Sequence, residues 1–232
     1  MIEFKEVTKQ FPAGNVVLEK VSFLIKPGEF VVITGPSGSG KTTIAKLLIK
    51  EIEPTSGEIV IDSENLGLLK AKHLPSLRKK VAVIFQDYKI IPDKTVAENI
   101  SLALQIINFP KTQILERITH LLGLVGLSEK ENLFPGQLSG GELQRAAIAR
   151  AVAVEPSILF ADEPTGNLDL ATAGEIMLLL KKINQSGTTV IVSTHDLNFI
   201  DLASRHLHLL KGKIVAEDTE SIEKPPKKVK KK

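Results

Sequence analysis

Four short runs of the chain are apolar at nearly every position, and they limit the possible folds more than any other feature. The runs are residues 30–33, 81–85, 158–161 and 190–192. A strand with one face in water alternates apolar and polar residues, whereas a strand covered on both faces does not. The four runs therefore predict an α/β fold in which a parallel sheet carries helices on both of its faces.

Helical periodicity fills much of the chain between these runs. It is found at residues 42–51, 96–107, 111–122, 142–154 and 171–183. Residues 86–156 show helical patterns and no convincing strand, so we predict a helical lobe, at about residues 87–156, inserted into the α/β core. Further strands are predicted at residues 2–7, 21–25 and 58–62, and a hairpin at residues 207–216.

Composition excludes several classes of protein. The chain has 232 residues, of which 43% are hydrophobic, and no cysteine, which rules out a disulfide framework and a thiolate metal site. No stretch reaches the ~18 apolar residues of a membrane span, and the N-terminus lacks a signal-peptide core. We therefore expect a soluble, cytoplasmic protein for which any membrane span comes from a partner.

The formal net charge of +3 comes from the last nine residues, which carry six lysines and no acidic residue. Without them the chain has 24 basic and 27 acidic residues, a net charge of −3, so overall charge does not favour a polyanion as partner. We expect residues 219–232 to form a disordered basic tail. Such a tail either only aids solubility or attracts the protein weakly to the anionic inner leaflet of a membrane.

The stretch GPSGSGKTT follows one apolar run and precedes a helical pattern, as the G-x-x-x-x-G-K-[ST] pattern of phosphate-binding loops requires. Glycines let successive N–H groups point inward toward a polyphosphate, and the helix adds its unpaired N-terminal donors. We expect Lys41 to reach the terminal phosphates and Thr42 to ligate Mg²⁺. A plain glycine turn with a helix cap explains the pattern less well. The nucleotide-binding residues predicted here are Gly35, Pro36, Ser37, Gly38, Ser39, Gly40, Lys41, Thr42 and Thr43.

Two adjacent carboxylates, Asp162 and Glu163, follow the apolar run at residues 158–161. In open α/β sheets, ligands bind at the carboxyl ends of the strands. Beside a phosphate loop we expect Asp162 to hold the Mg²⁺ shell and Glu163 to polarise a water for attack on the γ-phosphate. The alternative is a helix cap or a structural ion pair.

The stretch LSGGELQR opens the helical pattern that runs to residue 154. Ser139 and Glu142 have the spacing of a capping box, which does not explain the two glycines between them, since glycine weakens a helix start. Bare N–H groups at Gly140 and Gly141 would form a second anion site. LSGGE resembles the signature of the ATP-binding cassette (ABC) ATPases, and Gln86 and His195 occur in the order that this family has.

The resemblance covers residues 2–216 and implies an ABC ATPase domain at residues 1–218, with a P-loop core, an antiparallel β subdomain and the inserted helical subdomain. In such cassettes two copies enclose two ATP molecules head to tail, so that the phosphate loop of one copy faces Ser139, Gly140 and Gly141 of the other. The loop at residues 167–169 would cross that interface.

The resemblance also implies roles for single residues. Gln86 would contact Mg²⁺ together with Thr42 and Asp162, and would sense the partner protein. His195 would contact the γ-phosphate and complete the catalytic set of Glu163, His195 and Lys41, whereas a lone histidine after a strand is otherwise an ordinary polar residue. Phe11 matches the position of an aromatic ring that stacks on adenine; core packing is the competing interpretation.

Within the family, ADEPTGNLD at residues 161–169 is similar to the group that contains lipoprotein-releasing, macrolide-exporting and cell-division ATPases. Residues 85–99 look most like the cell-division (FtsE) branch. That likeness implies an ATPase on the inner face of the cell membrane whose residues 86–91 dock a coupling helix of an FtsX-like permease and which controls cell-wall hydrolases through it. Tyr88, Ile90 and Ile91 would form the docking patch, unless they are ordinary core residues.

Three other functions are open at this stage. An exporter or lipoprotein-release motor is the nearest. A nucleic-acid- or ribosome-associated ABC protein would need tandem cassettes or a long coiled coil, and the sequence has neither, so no nucleic acid is expected. A regulatory module with negligible turnover is disfavoured because Glu163 and His195 are both present.

Overall fold

The computed structural model describes residues 1–12 and 14–219. The predicted tail at residues 219–232 falls outside this range except for its first residue. The strands are β1 Ile2–Gln10, β2 Val16–Ile25, β3 Phe30–Thr34, β4 Ser56–Ile61, β5 Glu64–Asn65, β6 Val81–Ile84, β7 Ile158–Asp162, β8 Thr189–Thr194, β9 Arg205–Leu210 and β10 Lys213–Thr219. The α-helices are α1 Lys41–Leu48, α2 Leu74–Lys80, α3 Val96–Ile106, α4 Ile114–Val125, α5 Gly140–Val152 and α6 Leu170–Gln185.

The central sheet has six strands in the order β10-β9-β3-β8-β7-β6. Strands β9, β3, β8, β7 and β6 are parallel, and β10 closes the edge as the antiparallel arm of a hairpin with β9. All residues of β3, β7 and β8 are buried, as their unbroken apolar runs predict. The parallel core is thus confirmed, and the carboxyl ends of β3, β7 and β8 meet at one edge.

A second sheet, antiparallel and in the order β2-β1-β4-β5, packs over the first. Its inner face shares one apolar cluster with α1 and with one face of the central sheet. The Phe4 and Phe23 rings stack within it, with centroids 4.4 Å apart. This sheet is the predicted antiparallel β subdomain.

The segment between β6 and β7 is helical, as predicted, and contains α3, α4 and α5. These helices share a second apolar cluster with the opposite face of the central sheet. Thr95 caps α3 and Ser139 caps α5, each in a capping box with the glutamate three residues later.

Helix boundaries differ from the sequence prediction in several places. The helix predicted from residue 111 opens as a 3₁₀ turn, Lys111–Gln113, and continues as α4 to residue 125. Helix α5 begins at Gly140 rather than residue 142, because Ser139 caps the first turn. Helix α1 ends at Leu48, and the short helix α2, with Leu77 as its buried residue, was not predicted. No helix in residues 1–12 and 14–219 combines the length and the apolar character needed to cross a bilayer.

Candidate active site

The predicted phosphate loop connects the end of β3 to the start of α1, at the carboxyl edge of the sheet. Gly40 is the N-cap of α1, with φ 112°, and it offers no side chain to cap the helix. The first-turn N–H groups of α1 therefore remain free to bind an anion. A Cβ atom at Gly35 would lie 2.1 Å from the carbonyl oxygen of Leu209, so only glycine fits there.

Lys41 is the charged centre of this loop, and its side chain is only 5% exposed. Its ammonium donates to the carbonyl oxygens of Gly35, at 2.7 Å, and Pro36, at 3.2 Å. It also lies 3.1 Å from Oε1 of Glu163. In this structure the carboxylate of Glu163 thus neutralises the lysine that is predicted to bind phosphate.

Asp162, the last residue of β7, is buried and accepts two hydrogen bonds from hydroxyl groups. Oγ1 of Thr42 donates to Oδ2 at 2.6 Å, and the Ser193 hydroxyl donates to Oδ1. Strands β7 and β8 are parallel neighbours, and Asp162 is in register with Ser193. The sequence analysis missed Ser193, whose only signal was its place in the predicted neighbouring strand.

Glu163 joins Lys41 to His195. Its Oε2 lies 2.9 Å from Nδ1 of His195, and its backbone N–H donates to the Ser193 carbonyl at 2.9 Å. Glu163 has φ 48°, a left-handed conformation that is uncommon for a residue with a Cβ atom and that is often found at functional sites. The predicted catalytic residues Lys41, Glu163 and His195 therefore form one contiguous chain of contacts.

A cleft of ≈ 470 Å³ adjoins Thr42 and Asp162 and is also lined by Gln86 and Asn167. Its oxygen donors are of the kind that Mg²⁺ binds. No group of three His, Cys, Asp or Glu residues able to hold a metal occurs in the described part of the chain. Mg²⁺ is usually bound through one or two carboxylates, together with phosphate oxygens and water. The residues present fit the predicted ion.

The predicted docking segment after Gln86 is held by two side chains that the sequence analysis missed. Arg150, near the end of α5, donates to the carbonyl oxygens of Tyr88, at 3.0 Å, and Lys89, at 2.6 Å. Asn99 of α3 accepts from the Ile91 N–H and donates to the Ile91 carbonyl. Burial lowers the pKa of Arg150 from its ordinary value.

The side chains of this docking segment are neither fully buried nor fully exposed. Tyr88, Ile90 and Ile91 are all half-buried. Tyr88 and Ile90 pack against the apolar cluster that α3, α4 and α5 share with the central sheet. The packing of Tyr88 and Ile90 agrees with the core interpretation, whereas the docking patch stays a prediction.

The signature residues are placed at the start of α5 and not among the contacts of the phosphate loop. The Ser139 hydroxyl and N–H bond with Glu142. A Cβ atom at Gly140 would lie 3.4 Å from Leu168, and one at Gly141 would lie 2.5 Å from Thr172. The signature thus contacts the segment around the loop at residues 167–169, while the phosphate loop contacts Asp162 and Glu163.

Phe11 lies in the turn that joins β1 to β2 and is 37% exposed, so the core-packing interpretation is wrong. The turn is closed by hydrogen bonds from the Phe11 N–H to Asn15 and from the Gly14 N–H to Phe11. The Lys9 ammonium lies 5.2 Å from the centroid of its ring.

Known proteins resemble the chain over most of its length. A family model described as ABC transporter matches residues 18–166. "Cell division ATP-binding protein FtsE" of Bacillus subtilis (strain 168) is 43% identical over 218 residues, covering 94% of this chain and 96% of that protein. The protein of the same name from Escherichia coli (strain K12) is 41% identical over 216 residues, covering 90% and 97%.

Solved structures give the same fold. One described as "Dimeric structure of a post-hydrolysis state of the ATP-binding cassette MJ0796 bound to ADP and Pi" superposes with a TM-score of 0.87 and is 39% identical. The superposition covers 94% of this chain and 98% of that one.

Proposed function

The chain belongs to the ABC transporter family, and on that premise we propose that it is an ATP-hydrolysing subunit that dimerises on ATP and switches a membrane partner in cell division. The observation that carries the proposal is the chain of contacts Lys41–Glu163–His195 beside Asp162 and Thr42, at the carboxyl edge of the parallel sheet. These residues provide an anion-binding site, a general base and two oxygen ligands for a cation, all within one site.

In this proposal, binding of ATP separates Lys41 from Glu163. The γ-phosphate takes the place of the carboxylate at the Lys41 ammonium, because phosphate oxygens offer more charge and the α1 N–H groups add donors. Glu163 is then free to accept a proton from the attacking water, and His195 holds its other oxygen. A Mg²⁺ ion held by Thr42, Asp162 and Gln86 would neutralise charge that develops on the phosphates.

A second copy of the chain completes the site. Ser139, Gly140 and Gly141 present a helix N-terminus whose contacts lie elsewhere than the phosphate loop. Two similar proteins were solved as dimers. A head-to-tail dimer of this chain would bring that N-terminus to the γ-phosphate bound by its partner. Leu168 and Asp169 would lie at the same interface.

For the membrane partner we propose an FtsX-like permease that docks at residues 86–91. The support is the likeness to proteins named FtsE, together with a half-buried apolar loop beside the cleft. Control of cell-wall hydrolases would follow through that permease. An exporter or lipoprotein-release ATPase is the alternative within the same family. Weak attraction of the C-terminal lysines to the inner leaflet stays a sequence-based prediction.

Nucleotide binding is tested by Lys41→Ala. Removing a buried ammonium that would donate to phosphate should cost ~1.5–3 kcal/mol, at least tenfold in ATP affinity by calorimetry. Lys5→Ala is the matched control, because Lys5 is exposed on β1 and forms an ion pair with Glu3. Equal ATP affinity of the wild type and Lys41→Ala would contradict the phosphate-loop assignment.

Docking is tested by site-specific crosslinking from an introduced cysteine, which is possible because the chain has no native cysteine. Lys89→Cys places a thiol in the proposed docking segment, where the lysine side chain is 63% exposed. Lys213→Cys, with its side chain 54% exposed in the distant β9–β10 hairpin, is the control. With a co-expressed FtsX-like permease and a thiol-to-amine crosslinker, we expect an adduct from Lys89→Cys alone. Equal adducts at both positions would exclude this docking site.

A further inference from the structure

Lys9, on β1, contacts the aromatic ring of Phe11. Its ammonium lies 5.2 Å from the centroid of the Phe11 ring, within the range of a cation–π contact. It also donates to the backbone carbonyl of Glu53 at 2.7 Å, which fixes its position. Within residues 1–12 and 14–219 it forms no ion pair, so its charge is not neutralised.

The turn that carries Phe11 is connected to the phosphate loop through the start of β2. Lys9 on β1 is in register with Leu18 on β2. The Leu18 side chain lies against the loop, because a Cβ atom at Gly40 would be 2.6 Å from its Cδ2. The Val17 carbonyl oxygen would also lie 3.0 Å from that Cβ atom, so the turn that carries Phe11 leads directly into the part of β2 that lies against Gly40, at the start of α1.

We propose that Lys9 is a positioning residue for the base of the nucleotide: it holds the Phe11 ring by a cation–π contact on one face and leaves the other face for the purine. This inference rests on the proposed function and on the sequence-based prediction that Phe11 stacks on adenine. In this inference Lys9 increases affinity for the base of the nucleotide and does not contact the phosphates.

The electrostatics favour this arrangement. An aromatic ring is negative on both faces, and two such faces repel when they stack directly. A cation on one face draws the π-electron density toward itself and makes the other face less negative. The purine therefore stacks on Phe11 more favourably when Lys9 is charged. The ring also has fewer orientations, so less side-chain entropy is lost when the base binds.

The test compares two ligands that share the triphosphate and differ in the base: Mg–ATP and Mg–tripolyphosphate. Binding of both is measured by calorimetry to the full chain, as wild type, Lys9→Met and Lys9→Arg. Lys9→Met keeps the length of the side chain and removes its charge. We expect it to weaken ATP binding about two- to fivefold and to leave tripolyphosphate binding unchanged. Lys9→Arg keeps the positive charge and should bind ATP as the wild type does.

A double-mutant cycle shows whether Lys9 acts through the ring. In a Phe11→Leu background, Lys9→Met should have no further effect on ATP affinity. Lys5→Met, four residues earlier on the same strand and paired with Glu3, is the matched control and should bind both ligands like the wild type. Thermal unfolding of each variant detects any general loss of stability.

Each outcome decides the matter. A base-dependent loss that Arg restores and that vanishes in Phe11→Leu supports the proposal. Equal losses for ATP and tripolyphosphate, or no loss at all, overturn it, and so does a loss that persists in the Phe11→Leu background. Failure of the wild type to bind ATP would overturn the proposed function itself. If the wild type binds ATP and Lys9→Met binds it equally well, only the role of Lys9 is overturned.

Discussion

At the scale of single residues, Glu163 contacts both of the other predicted catalytic residues. Its two carboxylate oxygens are divided between the Lys41 ammonium and the His195 ring. A carboxylate at this position is an internal competitor for the phosphate that Lys41 is proposed to bind. We therefore expect the proposed base of the reaction also to lower the affinity for ATP.

Glu163→Gln should separate these two effects. An amide keeps the shape but cannot act as a base, so we expect turnover to fall at least ~100-fold. Exchanging a charged hydrogen bond to Lys41 for a neutral one is worth about 1 kcal/mol, so ATP affinity should rise about fivefold. Calorimetry and a phosphate-release assay measure the two quantities. Wild-type turnover would place the base elsewhere, and weaker ATP binding would contradict the competition.

The residues that the sequence analysis identified and those that it missed differ in a physical way. Lys41, Asp162 and Glu163 belong to local patterns in which strand, loop and helix follow one another within a few residues. Ser193 and Arg150 act through contacts made across the fold, 31 and 62 residues away along the chain. No local pattern marks such partners, because tertiary packing alone brings them together.

At the scale of elements, two helices begin in the same way and serve different purposes. Thr95 caps α3 and Ser139 caps α5, each in a complete capping box. Only the second has glycines at its first two helical positions, and only the second is proposed to face a nucleotide. The cap of α3 is therefore expected to contribute to stability alone, whereas the cap of α5 is expected to contribute to both stability and ATP hydrolysis.

Thr95→Ala and Ser139→Ala are a matched pair that tests this difference. Each removes one N-cap hydroxyl, so each should lower the free energy of unfolding by about 0.5–2 kcal/mol, measured in urea. Only Ser139→Ala should also reduce ATP hydrolysis, because only that hydroxyl is proposed to meet the γ-phosphate. An equal loss of hydrolysis in both variants would mean that the signature acts through stability alone.

The cap of α5 also predicts a dependence on pH. The backbone N–H of Ser139, and then the Lys130 ammonium, lower the pKa of Glu142 from its ordinary value. The stabilisation is therefore fully present above the pKa that Glu142 has in the unfolded chain and is lost as the pH falls through its lower folded pKa. In urea, the stability difference between wild type and Glu142→Gln should shrink as the pH falls through that range. A constant difference would contradict the assignment.

The elements that sequence patterns misplaced are the weakly periodic ones. Helix α2 has seven residues, a proline and one buried side chain, Leu77, so it gives almost no amphipathic signal. The first turn of the helix predicted from residue 111 is 3₁₀ because it follows directly on Pro110, before any buried residue is reached. Strands β3, β7 and β8, buried along their whole length, were predictable for the opposite reason.

At the scale of the whole molecule, the phosphate loop and the signature are proposed to act together only when two copies of the chain combine. Lys41→Ala and Ser139→Arg should each abolish hydrolysis alone. A mixture of the two proteins should regain part of the activity, because a mixed dimer has one site that combines an intact Lys41 with an intact Ser139. The measurement is ATP hydrolysis at fixed total protein as the mixing ratio varies. No recovery at any ratio would exclude a shared site.

Helix α5 has Ser139 at its first end and Arg150 near its last, and Arg150 holds the carbonyl oxygens of Tyr88 and Lys89. At 1.5 Å per residue its 13 residues span about 20 Å as one stiff body. If ATP acts at the first end and a membrane protein at the loop beside the last, their binding free energies are linked. Thermodynamic reciprocity then requires that the factor by which the membrane protein changes ATP-driven dimerisation equals the factor by which dimerisation changes affinity for the membrane protein. One titration determines both.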